Sequence, residues 1–157
     1  MSFDKAAEYV RKCGLGDRIK EFAVSSATVE LAAQAVGTEP GKIAKSLTFK
    51  VGEEAVMILC AGDWKIDNGK YKAQFSTKAK MLTPDEVEQL VGHAVGGVCP
   101  FGRNEGVDVY LDESLRQYDM VYPACGSDNS AVELSIEELE RISGSKAWID
   151  VCKKMGT

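Results

Sequence analysis

Residues 43–61 read IAKSLTFKV-GE-EAVMILCA, from Ile43 to Ala61. In a strand, alternate side chains share a face. Ile43, Lys45, Leu47, Phe49 and Val51 then lie on one side, and Ala44, Ser46, Thr48 and Lys50 on the other. Gly52-Glu53 reads as a tight turn. Residues 54–61 are almost wholly apolar, as in a strand covered on both faces. The two segments make a hairpin, and the rest of the chain is read around it.

Upstream, Phe3, Ala6, Ala7, Val10 and Cys13 share a helical face over residues 3–13, with Ser2 as cap and Gly14 as stop. Residues 18–24 alternate like a short strand. Residues 28–36 form a second helix, closed by Gly37 and Pro40. Downstream, the lysine-rich stretch 64–80 holds a short helix. Thr83-Pro84-Asp85-Glu86 is a helix start with a capping box, and its helix runs to about Val91. Residues 94–102 (AVGGVCPFG) are a loop. Short strands fit 107–111, 119–122 and 131–134. A second capping box at Ser135-Ile136-Glu137-Glu138 opens a helix ending near Gly144, and 147–151 closes the chain as a strand. Short strands and irregularly placed helices exclude a doubly wound parallel sheet. The expected fold is α+β around a mixed, largely antiparallel sheet.

The chain has 157 residues, which suits one domain over 1–157. Its net charge of −5 excludes nucleic-acid binding through bulk charge, so any such contact needs a local patch. Lys65, Lys70, Lys72, Lys78 and Lys80 supply one candidate; a solvated face is the plainer reading. The charged opening MSFDKAAEYVRKCG has no secretory apolar core, and no run is long enough to cross a bilayer. Cys13, Cys60, Cys99, Cys125 and Cys152 are odd in number and widely spaced. They support neither a disulfide framework nor a zinc site, and the expected compartment is a reducing cytoplasm.

Lys45 is the one charge on the more apolar face of its strand. Such an ammonium snorkels to water, or projects into a pocket to hold an anion or move a proton. The adjacent glycines Gly96 and Gly97 let backbone approach a ligand, and the loop through Val98, Cys99 and Pro100 could aim N–H groups at a developing oxyanion; a simple turn is the alternative. Residues 122–130 form a polar loop around Gly126. His93 is the sole histidine. With Cys99 or Cys125 it suggests a cysteine hydrolase, against a capping role at a helix end.

Taken together, IAKSLTFK (43–50), AVGGVCPFG (94–102) and ACGSDNSAVELSIEEL (124–139) resemble the YbaK/EbsC-type aminoacyl-tRNA deacylases, which include the editing domain of bacterial prolyl-tRNA synthetases and its free-standing relatives. The resemblance runs from the Thr28 helix to the Ser135 helix. It implies a sheet partly closed into a barrel with helices outside. It also implies hydrolysis of the ester joining a wrong amino acid to the 3′-terminal adenosine of a tRNA. The family's invariant lysine falls on Lys45, its glycine-x-x-x-proline loop on Gly96 to Pro100, and its later glycine on Gly126. The implied roles are catalytic for Lys45 and the amides of Gly97, Val98 and Cys99. Substrate binding is implied for Phe22, Gly96, Pro100, Ala124 and Gly126. In this family the ribose hydroxyl is thought to assist, and no metal or cofactor is implied. The implied substrate is a small amino acid such as Cys, Ala or Ser, on tRNA-Pro, with a synthetase as a further partner.

There are departures. Some cysteinyl-editing relatives carry serine and an acid where this chain has Ala124 and Ala131, and some relatives have tyrosine at Phe22. That leaves a second reading, a module of the same fold that binds tRNA ends or a synthetase without turnover.

Overall fold

The computed structural model describes residues 2–156. In chain order its elements are α1 (Ser2–Lys12), β1 (Ile19–Glu21), α2 (Val29–Val36), β2 (Ile43–Val51) and β3 (Glu54–Ala61). Then come β4 (Trp64–Ile66), α3 (Asn68–Phe75) and α4 (Pro84–Glu86), which continues as a π turn over Val87–Val91. The remainder are β5 (Asp108–Asp112), β6 (Met120–Pro123), β7 (Ser130–Val132), β8 (Leu134–Ser135), α5 (Ile136–Ser143), β9 (Ser145–Ile149) and β10 (Cys152–Lys154).

The hairpin is the centre of the main sheet. β2 and β3 pair antiparallel from Ala44↔Ala61 to Val51↔Glu54. The sheet order is β8-β6-β2-β3-β5-β9. β6 runs parallel to β2, β5 parallel to β3, and β9 parallel to β5, while β8 is antiparallel to β6. Two short antiparallel ladders, β1–β7 and β4–β10, stand beside it. The mixed sheet curls into a half-barrel with the helices outside.

Both faces of the hairpin are covered. Ala44, Met57, Leu59 and Ala61 point into the larger core with Ala6, Ala7 and Val10 of α1 and Leu139 and Ile142 of α5. Phe49, Val56, Ile58 and Cys60 point into a smaller cluster around Tyr71 of α3, whose ring lies 5.1 Å from Phe49. The alternation makes the Lys45 side the core side; the larger core is in fact on the Ala44 side. The strand is sandwiched, so its polarity pattern reports the edge of the sheet rather than a wet face.

Local signals position the helices. Thr83 and Glu86 exchange both capping-box hydrogen bonds, at 3.2 and 2.9 Å, and Ser135 and Glu138 do the same at 3.1 and 2.9 Å. Thr28 caps α2, accepting the Leu31 N–H at 3.1 Å. Ser2 differs from expectation. It lies within α1, and its hydroxyl reaches His93 Nδ1 at 2.7 Å instead of capping. The strand expected over 18–24 is only β1; the Phe22 N–H to Asn129 O bond at 2.8 Å carries its pairing with β7 one residue further. The stretch 131–134 divides into β7 and β8, as its partner changes from β1 to β6. The closing strand begins at Ser145, two residues early, in parallel with β5.

One irregularity creates the site. Outward of β2, β6 pairs only with Ile43 and Ala44. The next contacts on that side are Leu82 N–H to Thr48 O at 3.1 Å, a bridge from Phe49 to Met81, and Lys50 N–H to Lys80 O at 2.8 Å. The N–H and C=O of Ser46 face the gap between them, since Ser46 shares its direction with Thr48 and Lys50. Among the described residues, no helix is long and apolar enough to cross a membrane.

Candidate functional site

The gap opens into a cavity of about 320 Å³. Its walls are the start of α2 (Thr28, Val29, Ala32), Ile43 to Ser46 and Thr48 of β2, Met81, Leu82, Pro84 and Val87, the loop residues Val95, Gly96 and Val98, and Tyr122, Ala124, Ser130 and Ala131. Lys45 and Ser46 point to opposite faces of β2, yet both line it, because the cavity wraps around the free strand edge.

Lys45 is half-buried. Its Nζ donates to Gly62 O at 3.3 Å, and no carboxylate pairs with it among the described residues. An ammonium has three donors. The charge is therefore free to meet an anion or carbonyl in the cavity.

The glycine loop is held by backbone packing. A Cβ on Gly97 would stand 2.4 Å from the Gly126 carbonyl carbon and from the Ser127 nitrogen, and one on Gly126 would stand 2.4 Å from Ser2 O. Real Cβ atoms do not come that close, so Gly97, Gly126 and α1 can stack only without side chains there. This stack corrects one expectation. The Gly97 N–H donates to Ala94 O at 3.0 Å and closes a turn, so it is not an oxyanion donor. The Val98 and Cys99 N–H groups have no partner among the described residues, and Val98 lines the cavity.

Of the other expected site residues, Gly96 and Ala124 line the cavity, the latter bridged to Ala131. Phe22, Gly97, Cys99, Pro100 and Gly126 do not. Phe22 exchanges hydrogen bonds with Asn129 and braces the 127–130 loop. Pro100 is buried, and its carbonyl accepts Arg103 Nη1 at 2.9 Å. These residues shape the walls from behind.

The geometry removes the cysteine-hydrolase reading. Cys99 is fully buried, and burial pushes its thiol far above the usual range. His93 Nε2 lies 2.8 Å from Phe101 O, a pure acceptor, so Nε2 carries the proton and Nδ1 accepts from Ser2. The nitrogen nearest Cys99 Sγ, at 3.6 Å, is thus the one that cannot take its proton. Burial holds the His93 imidazole below its ordinary pKa and keeps it neutral, with Lys5 adding to the effect and the Phe101 bond opposing it. Cys125 is also buried, its thiol pushed up to about 12 by desolvation. His93 ties α1 to the loop, and the thiols are packing groups.

Ser46 and Ser130 are cavity residues that the sequence reading passed over. Ser46 sat on the polar side of an alternating strand, where a hydroxyl is unremarked. Its neighbour Lys45 was the available signal. No group of three His, Cys, Asp or Glu residues that could hold a metal occurs among the described residues. Of the lysine cluster, Lys70 pairs with Asp150 at 3.0 Å, while Lys65, Lys72, Lys78 and Lys80 are exposed.

Known proteins resemble this chain in sequence and in fold. The pattern of the aminoacyl-tRNA editing domain matches residues 24–142, which contain every wall of the cavity. The uncharacterized protein YwhH of Bacillus subtilis is 53% identical over 136 residues, covering 86% of this chain and 87% of its own. The proline–tRNA ligase of a Geobacillus species is 29% identical over 128 residues; these are 81% of this chain but 21% of the ligase. A crystal structure described as that of a candidate trans-editing enzyme for prolyl tRNA synthetase superposes with a TM-score of 0.87 at 33% identity, over 97% of each chain. With the match spanning most of the chain and all of the cavity walls, this protein belongs to the aminoacyl-tRNA editing domains.

Proposed function

We propose that the protein is a free-standing trans-editing deacylase. It hydrolyses the ester between a wrongly attached small amino acid, of the size of Cys, Ala or Ser, and the 3′-terminal adenosine of a tRNA, with tRNA-Pro as the carrier. The observation that carries this reading is the cavity itself. Among the described residues, it gathers an ammonium with no carboxylate partner, a loop amide with no partner and an unpaired strand edge around one space.

Those parts suit ester hydrolysis. An aminoacyl ester is already activated, so a protein nucleophile is unnecessary. Water adds to the carbonyl carbon, and charge develops on the carbonyl oxygen. The free Val98 N–H, with that of Cys99 behind it, meets that charge. The bond to the ribose oxygen then breaks, and the ribose leaves as its alcohol. Lys45 holds the terminal phosphate or ribose and fixes the ester against the loop. The vicinal ribose hydroxyl takes part in handling the proton, which is why no side-chain base is needed at the ester.

The competing reading is a non-catalytic binder of tRNA ends or of a synthetase. One observation favours it: Ala124 and Ala131 line the cavity and offer no functional group. A deacylation panel separates the two. Purified protein meets Ala-, Cys-, Ser-, Thr- and Pro-charged tRNA-Pro together with the cognate pairs. Cleavage of one or two small-residue esters is expected, with Lys45→Ala slower by about 100-fold while still folded. Full activity in Lys45→Ala removes the assigned role. Saturable tRNA binding with no cleavage establishes the binder instead.

A further inference from the structure

We infer that the outer surface of the layer formed by α3, β4 and β10 is the face on which the tRNA lies, and that the cross-strand pair Lys65 and Lys153 grips its phosphate backbone. The inference rests on the editing reading above and adds where the nucleic acid is held beyond its reacting end.

The charge of the chain is divided unevenly. Residues 64–80 and 150–157 carry seven lysines against two aspartates, a net of +5. The whole chain carries −5, so the remaining residues carry −10. The two basic segments stand far apart in sequence, and the fold unites them. β10 pairs with β4 in the register Cys152↔Ile66, Lys153↔Lys65 and Lys154↔Trp64. Lys70 of α3 ties down the same strand through Cys152 O and Asp150, both at 3.0 Å.

Both aspartates are engaged within the layer. Asp150 pairs with Lys70, and Asp67 caps α3 by accepting the Lys70 N–H at 3.0 Å. Asp67 feels Lys153 only at longer range than an ion pair. Among the described residues, Lys65, Lys72, Lys78, Lys80 and Lys153 form no ion pair.

Ile66 and Cys152 pack in the smaller core, so the next pair along the ladder, Lys65 and Lys153, points outward. Directly opposed side chains in an antiparallel ladder stand about 5 Å apart at Cβ, and like charges there are destabilising. The fold keeps two ammonium groups in that position with no carboxylate between them. A phosphate bridging the two offsets their repulsion and is bound by both.

The layer adjoins the reacting space. It covers the side of β2 that carries Lys45, where Phe49 packs among Tyr71, Ile66 and Cys152. Gly62, in the turn before β4, accepts from Lys45 Nζ at 3.3 Å. A Cβ on Gly62 would stand 2.7 Å from Val29 Cγ1, and Val29 is a cavity wall. Three residues of chain span at most about 11 Å, so Lys65 stays that close to the turn that touches Lys45. A polyanion whose end is anchored at Lys45 leaves the cavity beside this face, and the acidic remainder of the chain repels it elsewhere.

The test titrates labelled, deacylated tRNA by fluorescence anisotropy over a range of salt. It uses wild type, Lys153→Glu, Lys65→Glu and a control of net charge, Lys12→Glu, on α1 at the Ala44 side of β2. Lys153→Glu is expected to weaken binding by about tenfold and to lower the log–log salt slope by roughly 1. It should melt at or above wild type, because it removes a like-charge pair. Lys65→Glu repeats the measurement from the other strand if that variant fails to fold. Unchanged affinity and slope in the folded variants overturn the inference. So does an equal loss in Lys12→Glu, which assigns the effect to overall charge. Binding to phosphatidylserine vesicles that Lys153→Glu abolishes, with tRNA affinity intact, gives the face to a membrane and overturns it too. The editing reading fails separately. Folded wild type that cleaves no ester, with tRNA binding still dependent on Lys153, overturns that reading alone, and ester cleavage with tRNA affinity indifferent to Lys153 overturns this inference alone.

Discussion

At Gly97 a single methyl group decides whether two loops can touch. The backbone at 126–127 occupies the space a Cβ would need, at 2.4 Å. Neither neighbour is a flexible side-chain end, so relief requires moving the loop or the stack it leans on. That stack includes α1, since Gly126 is pressed against Ser2 O in turn. Gly97→Ala should lower stability by about 2 kcal/mol and displace the Val98 amide from the cavity. Melting temperature and deacylation rate report the two effects. A variant with unchanged melting and full turnover would show that the loop does not need this contact. The Gly97 requirement was half legible in the sequence. Adjacent glycines announce close backbone approach, but not to what. Here the partner is another loop, and the amide expected to face substrate is spent on Ala94 O.

The helices were the most readable elements, because their signals are local. Thr28, Thr83 and Ser135 each cap the helix that follows, and both capping boxes form. The Ser135 box is joined to the rest of the molecule through Arg18, whose two terminal nitrogens meet the two Glu138 oxygens at 3.0 and 3.1 Å. The Ser135 N–H bond, first, and then Arg18 hold the Glu138 carboxyl below its ordinary pKa. A carboxylate with a lowered folded-state pKa stabilises the fold above its unfolded value, near 4.3, and loses that contribution as pH falls through the folded value. Glu138→Gln should therefore melt below wild type at pH 7, and the gap should close as both are taken below about pH 4. A gap independent of pH would mean that the carboxylate's charge is not what α5 uses. Ser2 was misread by the same local logic. Nothing nearby in sequence announces a partner 91 positions away, and His93 claims its hydroxyl.

Over the whole molecule, the hairpin was legible with its pairing because turn and strands are contiguous, whereas β5 and β6 were legible as strands, within a residue of their bounds, but not as parallel neighbours of β3 and β2, because parallel register is set by crossovers and packing rather than by adjacent residues. The cavity depends on one of those long-range pairings stopping at Ala44, so the resemblance carried the site's place while the periodicity carried only its strand. The same scale governs how an acidic protein meets a polyanion. The net charge of −5 repels a tRNA at long range. Lys78 and Lys80 are exposed and lead directly into Met81, which lines the cavity and stands 59% exposed at its edge. An acceptor stem whose end enters the cavity past Met81 would lay its phosphates against those two lysines. Replacing both with glutamate should reduce kcat/KM on full-length aminoacyl-tRNA by about tenfold and lower the log–log salt slope by roughly 1 to 2. Turnover of a minimal aminoacyl-adenosine ester, which has no stem, should be unaffected. Equal loss on both substrates would place the lysines' effect at the ester or in the fold, and no loss on either would send the stem along another face.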